Sequence, residues 1–170
     1  ERLLVGAGPL EFERTKELLA GVLAPGMLVA DIGGGTGRYA EWLVGLGCSV
    51  ELVDAMPLHI EHARARAGGR FGVRLGDARE LPFGDEEFDA VLVLGPLYHL
   101  QERPDRVAAL REARRVCRAG GVVVAAAISR LAPLLGSMKT GSFLEPRVLA
   151  NIVDETGKGR RVPAERRSGL

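Results

Sequence analysis

The tightest constraint on this chain is the run Asp31-Ile32-Gly33-Gly34-Gly35-Thr36-Gly37-Arg38, four glycines in five positions between two apolar segments. Met27 to Ala30 is a short apolar run that reads as a buried strand, and it ends in an acid. Arg38-Tyr39-Ala40-Glu41-Trp42-Leu43 then takes up a helical period. Strand, glycine turn and helix make the half-unit that binds nucleotides in doubly wound sheets. Glycine permits turns that other residues resist, and it lets a ligand come close to the main chain. The N–H groups at the start of the following helix then face that ligand.

The spacing narrows the ligand. A dinucleotide loop reads G-x-G-x-x-G. Counted from Gly33, its third glycine falls on Arg38; counted from Gly34, its second falls on Thr36. No Gly-Lys-Ser/Thr step is present, which argues against a phosphate-cradling P-loop. The alternation is instead Asp-x-Gly-x-Gly-x-Gly, with Asp31, Gly33, Gly35 and Gly37 on every second position. In this form the loop resembles the first motif of the class I S-adenosylmethionine-dependent methyltransferases.

The rest of the chain fits an α/β alternation. A helical pattern runs from Leu10 to Leu23 and stops at Pro25-Gly26. After the glycine loop and its helix, Ser49 to Val53 reads as a second strand ending at Asp54, and Pro57 opens a helix closed by Gly68-Gly69. Phe71 to Leu75 and Phe88 to Leu94 read as the third and fourth strands, Pro104 to Cys117 as an amphipathic helix, and Val122 to Ile128 as the fifth strand. Strands alternating with helices predict a doubly wound, mostly parallel sheet. Leu131 to Met138 and Pro146 to Glu155 read as two short helices, and 157–170 as a loose basic end containing Arg160, Arg161, Arg166 and Arg167.

Acids close the first three strands on one sheet edge, at Asp31, Asp54 and Asp77. Ligands bind outside the carboxyl ends of the strands in open α/β sheets. A carboxylate at 54 can accept hydrogen bonds from both hydroxyls of a ribose, and Met56 could pack on an adenine face. The methyltransferase resemblance implies that Asp77 takes the adenine amino group with Ala78 beside it, and that Ala55 and Gly95 also border the cofactor. Gly95-Pro96-Leu97-Tyr98-His99-Leu100 resembles the region where the acceptor meets the methyl group, in the branch of ubiquinone-type and small-molecule methyltransferases. An Asn-Pro-Pro-Tyr or Asp-Pro-Pro-Tyr run, which would indicate methylation of an amide or base nitrogen, is absent. Leu110 to Gly121 resembles that branch's helix and turn before the fifth strand.

The resemblance therefore implies S-adenosylmethionine as cofactor and a small molecule as methyl acceptor. His99 is the candidate general base and Tyr98 the candidate orienting hydroxyl. Methyl transfer from a sulfonium is an in-line displacement, so neither a nucleophilic side chain nor a metal is needed. His59 and His62 stand at i and i+3 without a third ligand and read as surface residues. A cofactor-binding protein without turnover is the alternative, and a nicotinamide-dependent oxidoreductase is disfavoured by the glycine spacing.

At 170 residues one domain is expected: 1–128 as the cofactor-binding part and 129–170 as a helical roof with the loose end. Relatives usually add a helix and a strand pair after the fifth strand. No such pair is visible here, so a sheet without it is expected. Net charge is +1, which gives no bulk attraction to nucleic acid or an anionic membrane. Cys48 and Cys117 have no metal-type spacing and read as free thiols. No apolar run reaches the roughly 20 residues that span a bilayer, and Glu1-Arg2-Leu3-Leu4-Val5 lacks a signal-peptide pattern. The expectation is a cytoplasmic protein, with a homodimer admissible.

Overall fold

The computed structural model describes residues 8–159. Its strands are β1 (Leu28–Ile32), β2 (Ser49–Asp54), β3 (Gly72–Leu75), β4 (Phe88–Val93) and β5 (Cys117–Ala125). They form one parallel sheet in the order β3-β2-β1-β4-β5. The chain winds outward from β1 through β2 to β3, then returns to place β4 on the other side of β1. That reversal opens a crevice at the carboxyl ends of β1 and β4.

Both faces are covered, which is why the central strands are mostly apolar, with acids at Asp31, Glu51, Asp54 and Asp89 among the exceptions. Val29, Leu52, Ala90 and Leu92 point to one face. There they meet Ala40 and Leu43 of α2 (Arg38–Gly45) and Ile60 and Ala63 of α3 (Pro57–Ala67). Ala30, Ile32, Val53, Val91 and Val93 point to the other, against Ala113 and Val116 of α4 (Arg103–Val116). The first helix, α1 (Gly8–Ala20), sets Phe12 against Tyr39 with ring centroids 4.9 Å apart, beside the start of α2.

Some boundaries differ from the sequence expectation. β5 begins at Cys117 rather than Val122, because Cys117 pairs with Phe88 before a bulge carries the chain to Val122 opposite Ala90. Gly120, at φ 77°, makes that bulge feasible. The strand ends at Ala125, short of the expected Ile128. After it come α5 (Ala132–Thr140) and α6 (Pro146–Lys158), and no strand pair follows β5 among the described residues. No described helix is long and apolar enough to cross a membrane. The arginine cluster at 160–167 and the first five residues lie outside the described residues.

The acid-rich connection before β4 is pinned to α4. Arg115 donates to the Phe83 carbonyl at 2.9 Å and Asp85 at 2.8 Å, and pairs with Glu112 at 2.6 Å. Glu112 in turn accepts the Leu81 N–H at 2.8 Å, and the hydrogen bond from Arg115 holds its carboxyl below the usual range. Arg115→Ala removes the donor to a backbone carbonyl as well as two partly exposed ion pairs. A loss of about 1–2 kcal/mol in urea unfolding is expected.

Candidate functional site

The glycine loop crosses the carboxyl end of β1, and each of its glycines answers a different demand. A Cβ on Gly33 would lie 2.5 Å from Pro96 Cγ, and Gly33 has φ 68°. Gly95 is nearly as tight on the other side, where a Cβ would lie 2.9 Å from the Gly33 carbonyl oxygen. The glycine loop and the loop after β4 are therefore in direct contact. Gly35, at φ 58°, has nothing within 4 Å of where a Cβ would stand, so its main chain borders open space. Gly37, at φ 84°, is the N-cap of α2.

Asp31 and Asp54 stand near or at the ends of the adjacent strands β1 and β2, Asp77 lies two residues past β3, and the three are at different depths. Asp31 is 1% exposed and lies under the loop, where a Cβ on Gly34 would come within 2.5 Å of its Oδ2. That Oδ2 has no hydrogen-bond partner. Burial above all, and then the nearby Asp54 charge, push its carboxyl up to about 7, against a smaller opposing pull from the Ala40 N–H.

Asp54 lies at the lip of the crevice, 7% exposed. Its Oδ2 accepts the Gly35 N–H at 2.9 Å, and its Oδ1 accepts the Met56 N–H at 2.9 Å. Oδ1 also meets His59 Nδ1 at 3.0 Å. An ionised carboxylate only accepts, so Nδ1 carries the hydrogen. His59 is a partly exposed surface residue, as expected, with a partner in the crevice acid that the sequence does not reveal. Ala55 and Met56 follow on the exposed rim, and Met56 at 55% exposed fills no core space.

Asp77 is the outermost, with its side chain 42% exposed. Arg79 grips it with Nε at 2.9 Å and Nη2 at 2.6 Å, and the side-chain hydrogen bonds hold the Asp77 carboxyl below its usual range. Arg79 also reaches Asp105 on α4 at 3.3 Å. Ala78 packs against the α4-side core.

Beyond its last residue, β4 leads through Gly95 into a 3-10 turn at Pro96–Tyr98. Tyr98 and the exposed His99 set their rings 4.9 Å apart. Arg106 on α4 fixes the next two residues, donating to the carbonyls of Leu100 at 2.9 Å and Gln101 at 2.6 Å.

Other arginines frame the loop. Arg66 on α3 donates Nε to the Thr36 carbonyl at 2.9 Å and pairs with Glu41 at 3.0 Å. Arg38, at the start of α2, stacks over the Phe12 ring at 4.6 Å and leaves Nη1 buried without a partner. Sequence reasoning assigned no site role to His59, Arg66, Arg79 or Arg106. The nearest signal was the spacing of His59 five residues after Asp54, one turn into a helix.

Residues 30–125 match the family model described as "Methyltransferase domain". The bovine "Probable tRNA methyltransferase 9B" is 38% identical over 100 residues, covering 57% of this chain and 20% of that protein. "Methyltransferase GfsG" of Streptomyces halstedii is 34% identical over 105 residues, covering 58% of this chain and 37% of that protein. The crystal structure of the PH0226 protein from Pyrococcus horikoshii OT3 aligns with a TM-score of 0.67 at 26% identity, covering 81% of this chain and 65% of that one. The chain thus spans between a fifth and two-fifths of the length of these two curated relatives.

Proposed function

Since the chain belongs to the methyltransferase domain family, we propose that it moves a methyl group from S-adenosylmethionine to a small-molecule acceptor. The observation that carries this reading is Asp54. A carboxylate at the end of β2 is held by the Gly35 N–H of the glycine loop and still has acceptor capacity facing the crevice.

The other groups fit the same ligand. Asp77 and Ala78, just past β3, are assigned to the adenine edge, and the exposure of Met56 supports its packing as a polarizable face against the ring. Arg38 Nη1, a buried donor without a partner, suits a carboxylate. S-adenosylmethionine, when bound, supplies a methyl group made electrophilic by its sulfonium. The chain's own work is to bind, orient and exclude water. Through Gly33 and Pro96 the cofactor loop sets the position of the acceptor turn. On that turn Tyr98 orients the acceptor, and His99 takes the proton that an oxygen or nitrogen acceptor releases.

Gly-Pro-Leu-Tyr-His-Leu at 95–100 favours a small molecule, whereas the name of the bovine relative favours tRNA as a second reading. Incubation with methyl-labelled S-adenosylmethionine, once with a metabolite extract and once with total tRNA, separates the two. Label in the metabolite fraction is expected; label in tRNA alone would replace the acceptor assignment. No label in either, with cofactor bound, would mean a binding protein without turnover.

Cofactor binding itself is read by thermal shift. S-adenosylhomocysteine at 100 times its dissociation constant adds about 2.7 kcal/mol, which raises Tm by roughly 5–10 °C for a domain of this size. NAD is expected to leave Tm unchanged. A shift with NAD alone would overturn the cofactor assignment.

A further inference from the structure

The environment of Asp54 contains more donors than ribose binding allows. An ionised carboxylate offers about four acceptor sites. Here the N–H groups of Gly35 and Met56 and the His59 imidazole already take three of them. One site remains, yet a ribose that presents both hydroxyls needs two.

The three donors are not equally able to leave. Gly35 N–H is part of the loop that the Gly33–Pro96 contact and the Arg66–Thr36 hydrogen bond fix in place. Met56 N–H is fixed at the N-cap of α3, where Pro57 follows. His59 is a side chain, 44% exposed, and a rotation about its own bonds takes it into solvent. On Oδ1 it is the one donor that can be exchanged without moving main chain.

We infer that His59 is a displaceable place-holder: its Nδ1 takes the acceptor site on Asp54 that the second ribose hydroxyl needs when an adenosine-containing cofactor binds. The imidazole and that hydroxyl compete for one carboxylate oxygen, so binding must displace the ring. His59 is accordingly a residue that sets cofactor affinity through Asp54, without touching the reacting atoms. The inference rests on the assignment of Asp54 to the ribose.

The test is calorimetric titration with S-adenosylhomocysteine of the full chain and three variants. His59→Ala removes the competitor and is expected to bind about three- to tenfold more tightly, the worth of one hydrogen bond made by a partly exposed group. His59→Asn keeps an N–H at a position close to that of Nδ1 and is expected to return to wild-type affinity, which separates loss of the donor from loss of bulk. Asp54→Ala is the control for the parent assignment.

The 2′-deoxy and 3′-deoxy analogues of S-adenosylhomocysteine complete the cycle. With the analogue that lacks the displacing hydroxyl, His59→Ala is expected to gain nothing. Unchanged or weaker binding of S-adenosylhomocysteine by His59→Ala, with Asp54→Ala still impaired, would overturn the place-holder and leave the ribose assignment standing. Equal binding by wild type and Asp54→Ala would overturn the ribose assignment itself, and the inference with it.

Discussion

At pH 8, Asp31→Asn is expected to resist urea better than the wild-type protein, and the advantage is expected to vanish near pH 4. The cause is the carboxylate under the glycine loop. Its carboxyl is raised from 3.8 to about 7, chiefly by burial and secondarily by Asp54. A carboxyl whose folded value lies above its unfolded one binds protons more tightly when folded. Its contribution to stability is therefore whole below the unfolded value, declines as pH rises between the two, and is lost above the folded value. The span of the shift corresponds to a cost on the order of 4 kcal/mol at pH 8. Asparagine has the shape of the protonated acid and its oxygen can still accept the Ala40 N–H, so the two proteins converge where Asp31 is protonated in both states. Urea midpoints of the two proteins from pH 4 to pH 8 give the difference directly. A difference that stays flat with pH would show that Asp31 titrates as an ordinary carboxyl.

The second large effect belongs to Asp54. Asp54→Asn is expected to weaken S-adenosylhomocysteine binding by about a hundredfold or more, read by calorimetry. One loss is the charged acceptor proposed for the ribose. A second is internal: with only one carbonyl oxygen, the amide cannot accept both the Gly35 and the Met56 N–H, and its NH2 meets a donor with a donor. Because those main-chain groups lean on it, the substitution also loosens the loop, and a fall in Tm without ligand is expected to accompany the loss of binding. Affinity within threefold of wild type would remove Asp54 from the cofactor site.

Much of this arrangement was legible in the sequence, for identifiable physical reasons. Strands buried on both faces are mostly apolar, and Ala90 to Val93 shows that run plainly after a single acid at Asp89. The helix from Pro57 to Ala67 carries its own punctuation, a proline at the start and a left-handed Gly68 at the end. The placement of Asp31, Asp54 and Asp77 at or just past the ends of successive strands follows from their register in the sequence. Their depths do not. Nothing in the one-letter record distinguishes an acid sealed beneath Gly34 from one gripped by Arg79, because depth is set by what packs above each side chain. His59 was passed over for a related reason: its partner precedes it across a strand end, a helix start and a change of chain direction. The start of β5 at Cys117 depends on Phe88 as its pairing partner, and the polar, glycine-containing turn at 118–121 hides that pairing from any local pattern.

The contact between Gly33 and Pro96 also governs how such a protein could diversify. The ring of Pro96 fills the space above Gly33, and the Gly33 carbonyl fills the space beside Gly95. A bulkier residue at either glycine collides with the opposite loop, so inheritance of the cofactor loop carries positions 95 and 96 along with it. Tyr98 returns its hydroxyl to that seam, 4.0 Å from where a Cβ on Gly95 would stand, whereas His99 is exposed. Change is therefore easiest at His99, which can vary without disturbing the packing of the two loops.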